Sequence, residues 1–536
     1  MLRLDDLPLQ PAKPELVVTA ANDIHGLDLL GLRAPAEAVA NRFIDGITTI
    51  TPVVRYFSLR AWLILRYVRL DGLNSWKAFS TFAAKVEAAI AYASKLAENP
   101  TPGVVGRNIA TGIVNNTDSK LTLGKLTKIL AVQIYAAPSE ALGLGEGSGE
   151  VPSLTIERGL PLAESFGAAV GNDDVLAEIS VRDEEQFFER ARLADFGRRF
   201  TLAVPSPAER QHLLAAIIPN KPRAIELRRI ASYCLLLHLS QALGRAISES
   251  DVYAATSQGV LAEIPEDLHL VCDGWTQFAV RDLLTLVHES AVALVLQQIS
   301  QVVQPEKRQP FREVIAALVA ADLDSSLSGL GLGVKADQPI SDLYEAVISS
   351  CGPASEIRGL RRWPGALSEP VLFEKASWLH STTGLCLVPI AWIIAAHRME
   401  PGIHSRMNGF DLDASAGSYR LGVGAVVLPE VRRWRTESLS IRAIVAWLIH
   451  RSVDQHLRIA WSRLAREPYK DVALIRSDGD DWIYQKDFSP GRATSRLYQA
   501  LNWLRQLCLV DDGGMTTEGA SVLEAGLATL RRCGRG

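Results

Sequence analysis

Ten histidines, six cysteines and 60 acidic residues are the material from which a catalytic or metal site would be built. Their spacing decides whether one is. The histidines are His25, His212, His238, His269, His288, His380, His397, His404, His450 and His456. None belongs to a His-Glu-x-x-His pair, and no two share a helical face with a third ligand nearby, so no zinc site is indicated. His450 and Asp454 lie four apart with His456 following; a proton relay has this spacing, but the pair reads first as a helix-surface hydrogen bond. His288-Glu289 reads as a half-buried structural pair on an amphipathic helix. Asp478, Asp480, Asp481 and Lys486 gather the residue types of a metal-dependent nuclease on one hairpin. Two-metal catalysis needs converging carboxylates, whereas an Asp-rich turn is ordinarily a solvated turn. Asp411 and Asp413 alternate like calcium ligands, without the twelve-residue loop pattern that would hold the ion.

The cysteines, Cys234, Cys272, Cys351, Cys386, Cys508 and Cys533, are scattered, with no Cys-x-x-Cys. Cys234, Cys386 and Cys508 lie in leucine-rich runs, where a thiol behaves as a small core residue and not as a thiolate nucleophile. The pattern fits a reducing compartment and indicates no disulfide framework. Two glycine-rich stretches invite a nucleotide reading. The first, GLGEGSGEVPS over 143–153, has no strand before it and no helix opening directly after it. The second, GLGLGVKAD over 329–337, lacks the Gly-Lys-Ser/Thr ending of a phosphate loop. The residues therefore assign no catalytic group, no metal and no cofactor, and the chain reads as non-enzymatic.

The elements that would position any such residue are mostly helical. Pro35 opens a helix ending near Gly46, and Thr51-Pro52 opens a longer one over 51–70 whose apolar residues nearly encircle it, the mark of a buried central helix. Helical patterns follow over 75–98, 207–218, 222–244, 276–303, 311–321 and 340–349. Residues 1–33, broken by Pro8, Pro11 and Pro14, read as an extended arm with a short helix. The expected organisation is mainly α and multi-domain. It comprises an N-terminal helical domain (1–142), a linker at 143–153, a central helical region (154–400), a loop-rich connection (401–430) and a C-terminal α+β module (431–536).

Composition bounds the rest. At 536 residues the chain exceeds a single core. Its longest apolar run, 385–396, is 12 residues and interrupted by Pro389, too short to cross a membrane. The first residues carry acids and prolines where a signal peptide needs an apolar core, so a cytoplasmic location is expected. The net charge is −4, but residues 431–510 hold 14 basic and 8 acidic side chains, leaving the remainder at −10. A basic segment on an acidic body suggests either one anion-facing surface or a docking contact with that body.

The tail concentrates these signals. A helix over 439–464 precedes a hairpin, VALIR and WIYQKDF around Asp-Gly. Then comes a helix over 494–507, with Leu497, Ala500, Leu501, Leu504 and Cys508 on one face and Ser495, Arg496, Gln499, Asn502 and Arg505 opposite. The Leu509-Val510 strand, the Gly513-Gly514 turn and the Thr517-Glu518-Gly519 helix start complete the order. This region resembles the winged-helix domains of bacterial regulators. The resemblance implies that the 494–507 helix enters a DNA major groove. Arg492, Ser495, Arg496 and Gln499 would then face the groove, with Arg505 near phosphate. Two features depart from the pattern: a hairpin stands where a second helix belongs, and Asp511 and Asp512 lie in the turn. Such modules also serve as protein docking surfaces. Residues Gly46-Ile47-Thr48, Thr51-Pro52 and Arg55-Tyr56-Phe57 further resemble the openings of uncharacterised bacterial proteins from mobile-element and phage-defence gene clusters. These resemblances imply a non-enzymatic DNA-binding or adaptor component of a multi-protein bacterial system, of the phage-defence kind, with double-stranded DNA as one partner. The others are proteins such as an ATPase or nuclease of the same operon, which the chain would serve as a scaffold without DNA contact.

Overall fold

Alternation of long apolar helices with short polar turns governs the fold of this chain. The structure, a computed structural model, describes residues 28–48, 50–97, 103–116, 119–147, 151–171, 174–182, 184–257, 263–302, 306–351, 372, 381–399, 421–466, 472–493 and 495–533. Helix makes up 65% and strand 7%, so the expected mainly α class holds. Most of the arm expected over 1–33, and most of the loop connection expected over 401–430 with Asp411 and Asp413, lie outside the described residues. No described helix is long and apolar enough to cross a membrane.

In chain order the principal elements begin with α1 (Arg33–Phe43), α2 (Arg55–Arg69), α3 (Trp76–Leu96), β1 (Lys120–Leu123), β2 (Gly145–Glu146) and β3 (Ser153–Leu154). Next come α4 (Gly159–Val170), β4 (Gln186–Glu189), α5 (Arg190–Arg199), α6 (Pro207–Ile217), α7 (Ala224–Leu243), α8 (Glu249–Ser257) and α9 (His269–Ser300). They are followed by β5 (Arg308–Pro310), α10 (Phe311–Val319), α11 (Ile340–Ser350), α12 (Thr383–Met399), α13 (Ile441–Arg466), β6 (Ile475–Asp478) and β7 (Asp481–Tyr484). The tail holds α14 (Leu497–Gln506), β8 (Val510–Asp511), β9 (Gly514–Met515) and α15 (Thr517–Cys533).

Contacts divide the chain into two compact units, the first of residues Met1–Asn41 and Glu249–Ser495, the second of Arg42–Ser248 and Arg496–Gly536. These limits differ from the boundaries expected at 142, 400 and 430. The reason lies in pairing: each end of the chain joins a unit built mainly from residues far away in sequence. The expected linker at 143–153 is structured in part, because Gly145 pairs with Leu154 and Glu146 with Ser153 in a small antiparallel ladder.

In the first unit α9 is the axis, packed by α8, α10, α12 and α13. It begins at His269, earlier than expected, and is buried on nearly every side. That is why it is not amphipathic: its polar residues are inside as well. Thr276, Thr285 and Ser290 return their hydroxyl hydrogens to the carbonyls of Cys272, Arg281 and Leu286 four residues back, the usual way a helix hides a buried hydroxyl. A three-stranded antiparallel sheet, β5-β7-β6, adds Arg308–Pro310 to the expected hairpin, whose turn centres on Gly479 at φ +60°.

In the second unit α2 and α3 form the core with α4 and α5. Helix α2 starts at Arg55, past the Pro52 expected to open it, because the backbone of 51–54 is engaged elsewhere. Tyr135 Oη both receives the Val53 N–H and donates to the Val53 carbonyl, at 3.1 and 2.9 Å. Helix α7 packs on α15, and Gly526 permits the approach: a Cβ there would lie 2.4 Å from Cys234 Sγ.

Glu226, fully buried at the start of α7, binds this unit together. It accepts from Arg158 Nη1 at 2.7 Å, Arg223 N at 2.8 Å and Arg229 Nη2 at 3.1 Å. Arg229, also fully buried, donates in turn to the carbonyls of Ile217 and Ala216 at the end of α6. Burial raises the Glu226 pKa, but the hydrogen bonds from Arg158 and Arg223 outweigh it and bring the carboxyl down to about 2. Glu226→Ala takes from buried Arg229 its nearer carboxylate and leaves it Asp45 at 3.8 Å. A loss of about 3–5 kcal/mol is expected, measured by denaturant unfolding at pH 7.

Candidate docking site

The segment before α14 determines how the expected binding residues are used. Residues 485–493, 495 and 496 form no regular structure, and the backbone donors of Gly491 and Ala493 turn to carboxylates on α9. Glu289 accepts the Gly491 N–H at 3.1 Å, and Asp282 accepts the Ala493 N–H at 2.6 Å. Glu289 also takes a two-pronged pair from Arg33, Nε at 2.9 Å and Nη2 at 2.6 Å. Asp282 takes Arg492 Nε at 3.2 Å, and the Arg492 guanidinium lies over the ring of Tyr253 at 5.8 Å. Ser495 is buried and donates to Glu249. Burial pushes both Asp282 and Glu289 up to about 6, against the opposing pull of their arginines.

Arg492 and Ser495 therefore sit among acidic partners of their own unit. Arg496 adopts the left-handed conformation, φ +66°, immediately before α14, and its Nη1 donates to the Ile47 carbonyl at 2.9 Å. This is why the helix begins at Leu497 and not at 494 as expected. Thr494 itself lies outside the described residues. Gln499 is half-buried and lies 3.5 Å from Asn502 Nδ2 through its Oε1. Of the five expected contact residues Arg492 and Arg505 are exposed, and of these Arg505 lies on α14.

Helix α14 has a second buried side that the leucine pattern did not reveal. Trp503 is fully buried, donates Nε1–H to the Thr51 carbonyl at 2.8 Å, and stands edge-on to Phe57 with centroids 5.2 Å apart. Gln506 accepts the Val54 N–H and donates to the Pro52 carbonyl. With Leu497, Ala500, Leu501 and Leu504 also buried, the outward stripe is Tyr498, 60% exposed, with Asn502 and Arg505. Sequence reasoning passed over Tyr498. Its signal was position alone, two turns from Arg505 on the same edge of the wheel. The β8-β9 hairpin follows, with Asp511 and Asp512 exposed in its turn.

The other residue types that suggested chemistry are tied down. Arg308 holds Asp478 at 2.6 Å and Asp481 at 3.0 Å, so these carboxylates turn to a guanidinium. Among the described residues no three His, Cys, Asp or Glu side chains gather as a metal site. His288 accepts Trp392 Nε1–H at Nε2 and meets Ser452 Oγ through Nδ1, each at 2.8 Å. His456 accepts the Leu474 N–H at Nε2 and faces the Leu29 carbonyl through Nδ1. Both rings are thus neutral with assigned tautomers. The pair expected of His288 and Glu289 does not form, since their side chains leave α9 toward different partners. Burial thrusts the Cys386 thiol up to about 12, which leaves it inert at neutral pH.

Comparison with protein families, curated proteins and solved structures finds no match for this chain.

Burial lowers His288 to about 3 and His456 to about 4. The unfolded chain takes up these protons near pH 6.5 and the folded chain does not, so stability falls as pH drops from about 6.5 toward 4. Asp282 and Glu289 work in the opposite sense between their ordinary values and about 6. His456→Gln keeps an acceptor for Leu474 and a donor for Leu29 but cannot titrate. Its stability should fall less than the wild type's between pH 6.5 and 4.5, by about 1–2 kcal/mol, measured by urea unfolding at each pH.

Proposed function

We propose that this chain is a non-enzymatic adaptor of a multi-protein bacterial system, of the kind encoded in phage-defence clusters, and that its tail docks a protein. The observation that carries the reading is where the cations go. Arg492 and Arg496, the two that a groove-reading helix would use first, are engaged by Asp282 and the Ile47 carbonyl. What α14 offers outward is Tyr498 and Arg505, the residue types that anchor protein interfaces. The exposed Asp511 and Asp512 in the adjoining turn disfavour phosphate. Six free cysteines suit a cytoplasmic setting. The partner is expected from the same operon, an ATPase or nuclease whose chemistry this chain supports.

DNA contact is the second reading, favoured by the order helix, hairpin, helix over α14, β8-β9 and α15 and by the exposed Arg505. One set of variants separates the two. Tyr498→Ala and Arg505→Glu are surface changes and should leave stability within about 0.5 kcal/mol. Under the docking reading each weakens capture of the purified neighbouring gene product by about tenfold, a hot-spot loss of about 1.4 kcal/mol. Duplex DNA binding, followed by fluorescence anisotropy over a salt series, stays weak and unchanged. A salt-dependent duplex affinity whose slope falls by about one on Arg505→Glu would replace docking with DNA contact.

A further inference from the structure

The segment that leads into α2 runs alongside α14 and is fastened to it in register. Arg496 Nη1 donates to the Ile47 carbonyl at 2.9 Å, Trp503 Nε1 to the Thr51 carbonyl at 2.8 Å and Gln506 Nε2 to the Pro52 carbonyl at 2.7 Å. Gln506 Oε1 also accepts the Val54 N–H at 2.8 Å. Both sets of residues rise in the same order, so segment and helix run parallel, and Ile50 falls between the contacts of Arg496 and Trp503.

Around Ile50 the chain makes a turn closed by Thr51. The buried Thr51 hydroxyl donates to the Thr48 carbonyl at 3.0 Å and accepts the Thr48 N–H at 3.1 Å. Ile50 stands at the third place of this turn, 58% exposed. Turn chemistry favours Gly, Asn, Asp and Ser and calls for no apolar side chain there.

The outward edge of α14 adjoins this segment. Tyr498, Asn502 and Gln506 follow at intervals of four and so form one row on the helix surface. Gln506, at the end of the row, grips Pro52 and Val54, which makes row and segment neighbouring strips of one surface. Tyr498, 60% exposed, lies in the row, and Arg505, exposed, lies beside it. A single exposed apolar side chain needs no explanation. Here two stand on neighbouring strips with a guanidinium at the margin.

We propose that the turn at 48–51 is the second half of the α14 docking surface, with Ile50 and Tyr498 as its apolar anchors, and that the partner is a protein presenting an apolar recess bordered by a carboxylate. Arg505 calls for the carboxylate. Two apolar anchors against one cation suit a protein recess and not a phosphate backbone, which is charged along its whole length. The inference rests on the docking reading of α14, and it gives a role to the Ile47-Thr48 and Thr51-Pro52 residues that the sequence singled out.

The test is hydrogen exchange on the full chain with and without the purified neighbouring gene product, read by mass spectrometry over peptides covering 44–57 and 496–507. Slowing of both is expected. Slowing over 496–507 alone would overturn this inference and leave the docking reading standing, whereas slowing of neither would remove both. Slowing over 44–57 as the concentration of the chain alone is raised would put a second copy in the partner's place and overturn the proposal. Ile50→Ser should weaken capture of the same gene product by about fivefold with its urea midpoint unchanged, and Ile50→Leu should restore it. An Ile50→Ser chain that binds as the wild type does would count equally against the inference.

Discussion

The first unit depends on how charge is kept inside it. Helix α9 is buried on nearly every side, yet Asp282 and Glu289 stand on it seven residues apart, two turns along one face. A buried carboxylate without partners is far costlier than any gain from packing around it. Each therefore has to recruit a cation and a backbone donor, and each finds both: Arg492 with Ala493 N, and Arg33 with Gly491 N. This single requirement fixes the irregular stretch at 491–493, whose amides have no helix or ladder to join. It also draws Arg33 inward at the start of α1, where Asp28 accepts the Leu32, Arg33 and Ala34 amides. The second unit follows the same rule with Glu226 and Arg229, and again with Glu209, which takes a two-pronged pair from Arg55 at 2.9 and 2.8 Å.

Such networks resemble active sites, because both contain buried titratable groups with displaced pKa values. Satisfaction distinguishes the two. A site leaves a donor, an acceptor or a ring nitrogen open toward a space that substrate can enter. Around Asp282 and Glu289 the described oxygens accept from Arg33, Arg492 and backbone amides, and both nitrogens of His288 and of His456 have partners. A cleft of the second unit, between α3, the stretch 123–133 and residues 184–185, has the opposite character. Its Lys125, Glu184 and Glu185 are exposed.

Local periodicity made much of this structure legible in the sequence. The helices α3, α7, α10, α11 and α13 fall close to where apolar spacing places them, since a helix is decided by neighbours three and four residues away. The errors share one cause. Helix α2 begins late because Tyr135, far off in sequence, engages Val53. Helix α14 begins late because the preceding amides are taken by α9 and Arg496 turns left-handed. The third strand of the β5-β7-β6 sheet comes from 308–310, well before its hairpin. The two units are likewise invisible to composition, because each is closed by a distant segment of chain. Among the expected contact residues, the arginines looked free because their acidic partners lie more than 200 residues away or are main-chain carbonyls, which carry no sequence signal.

The width of the outward face of α14 bears directly on what it can hold. A helix that reads a groove needs several polar side chains projecting over roughly half its circumference, with cations flanking them. Leucines cover one side of α14, and Trp503 with Gln506 claims another, so Tyr498, Asn502 and Arg505 remain as a single edge. A ridge of one aromatic, one amide and one guanidinium is a poor reader of base pairs but a good plug for a partner's groove. The aromatic supplies area with few rotamers to freeze, and the guanidinium supplies a directed charge-assisted bond. The helical positions that looked like a broad recognition face in the sequence thus narrow to a single edge once Trp503 is turned inward.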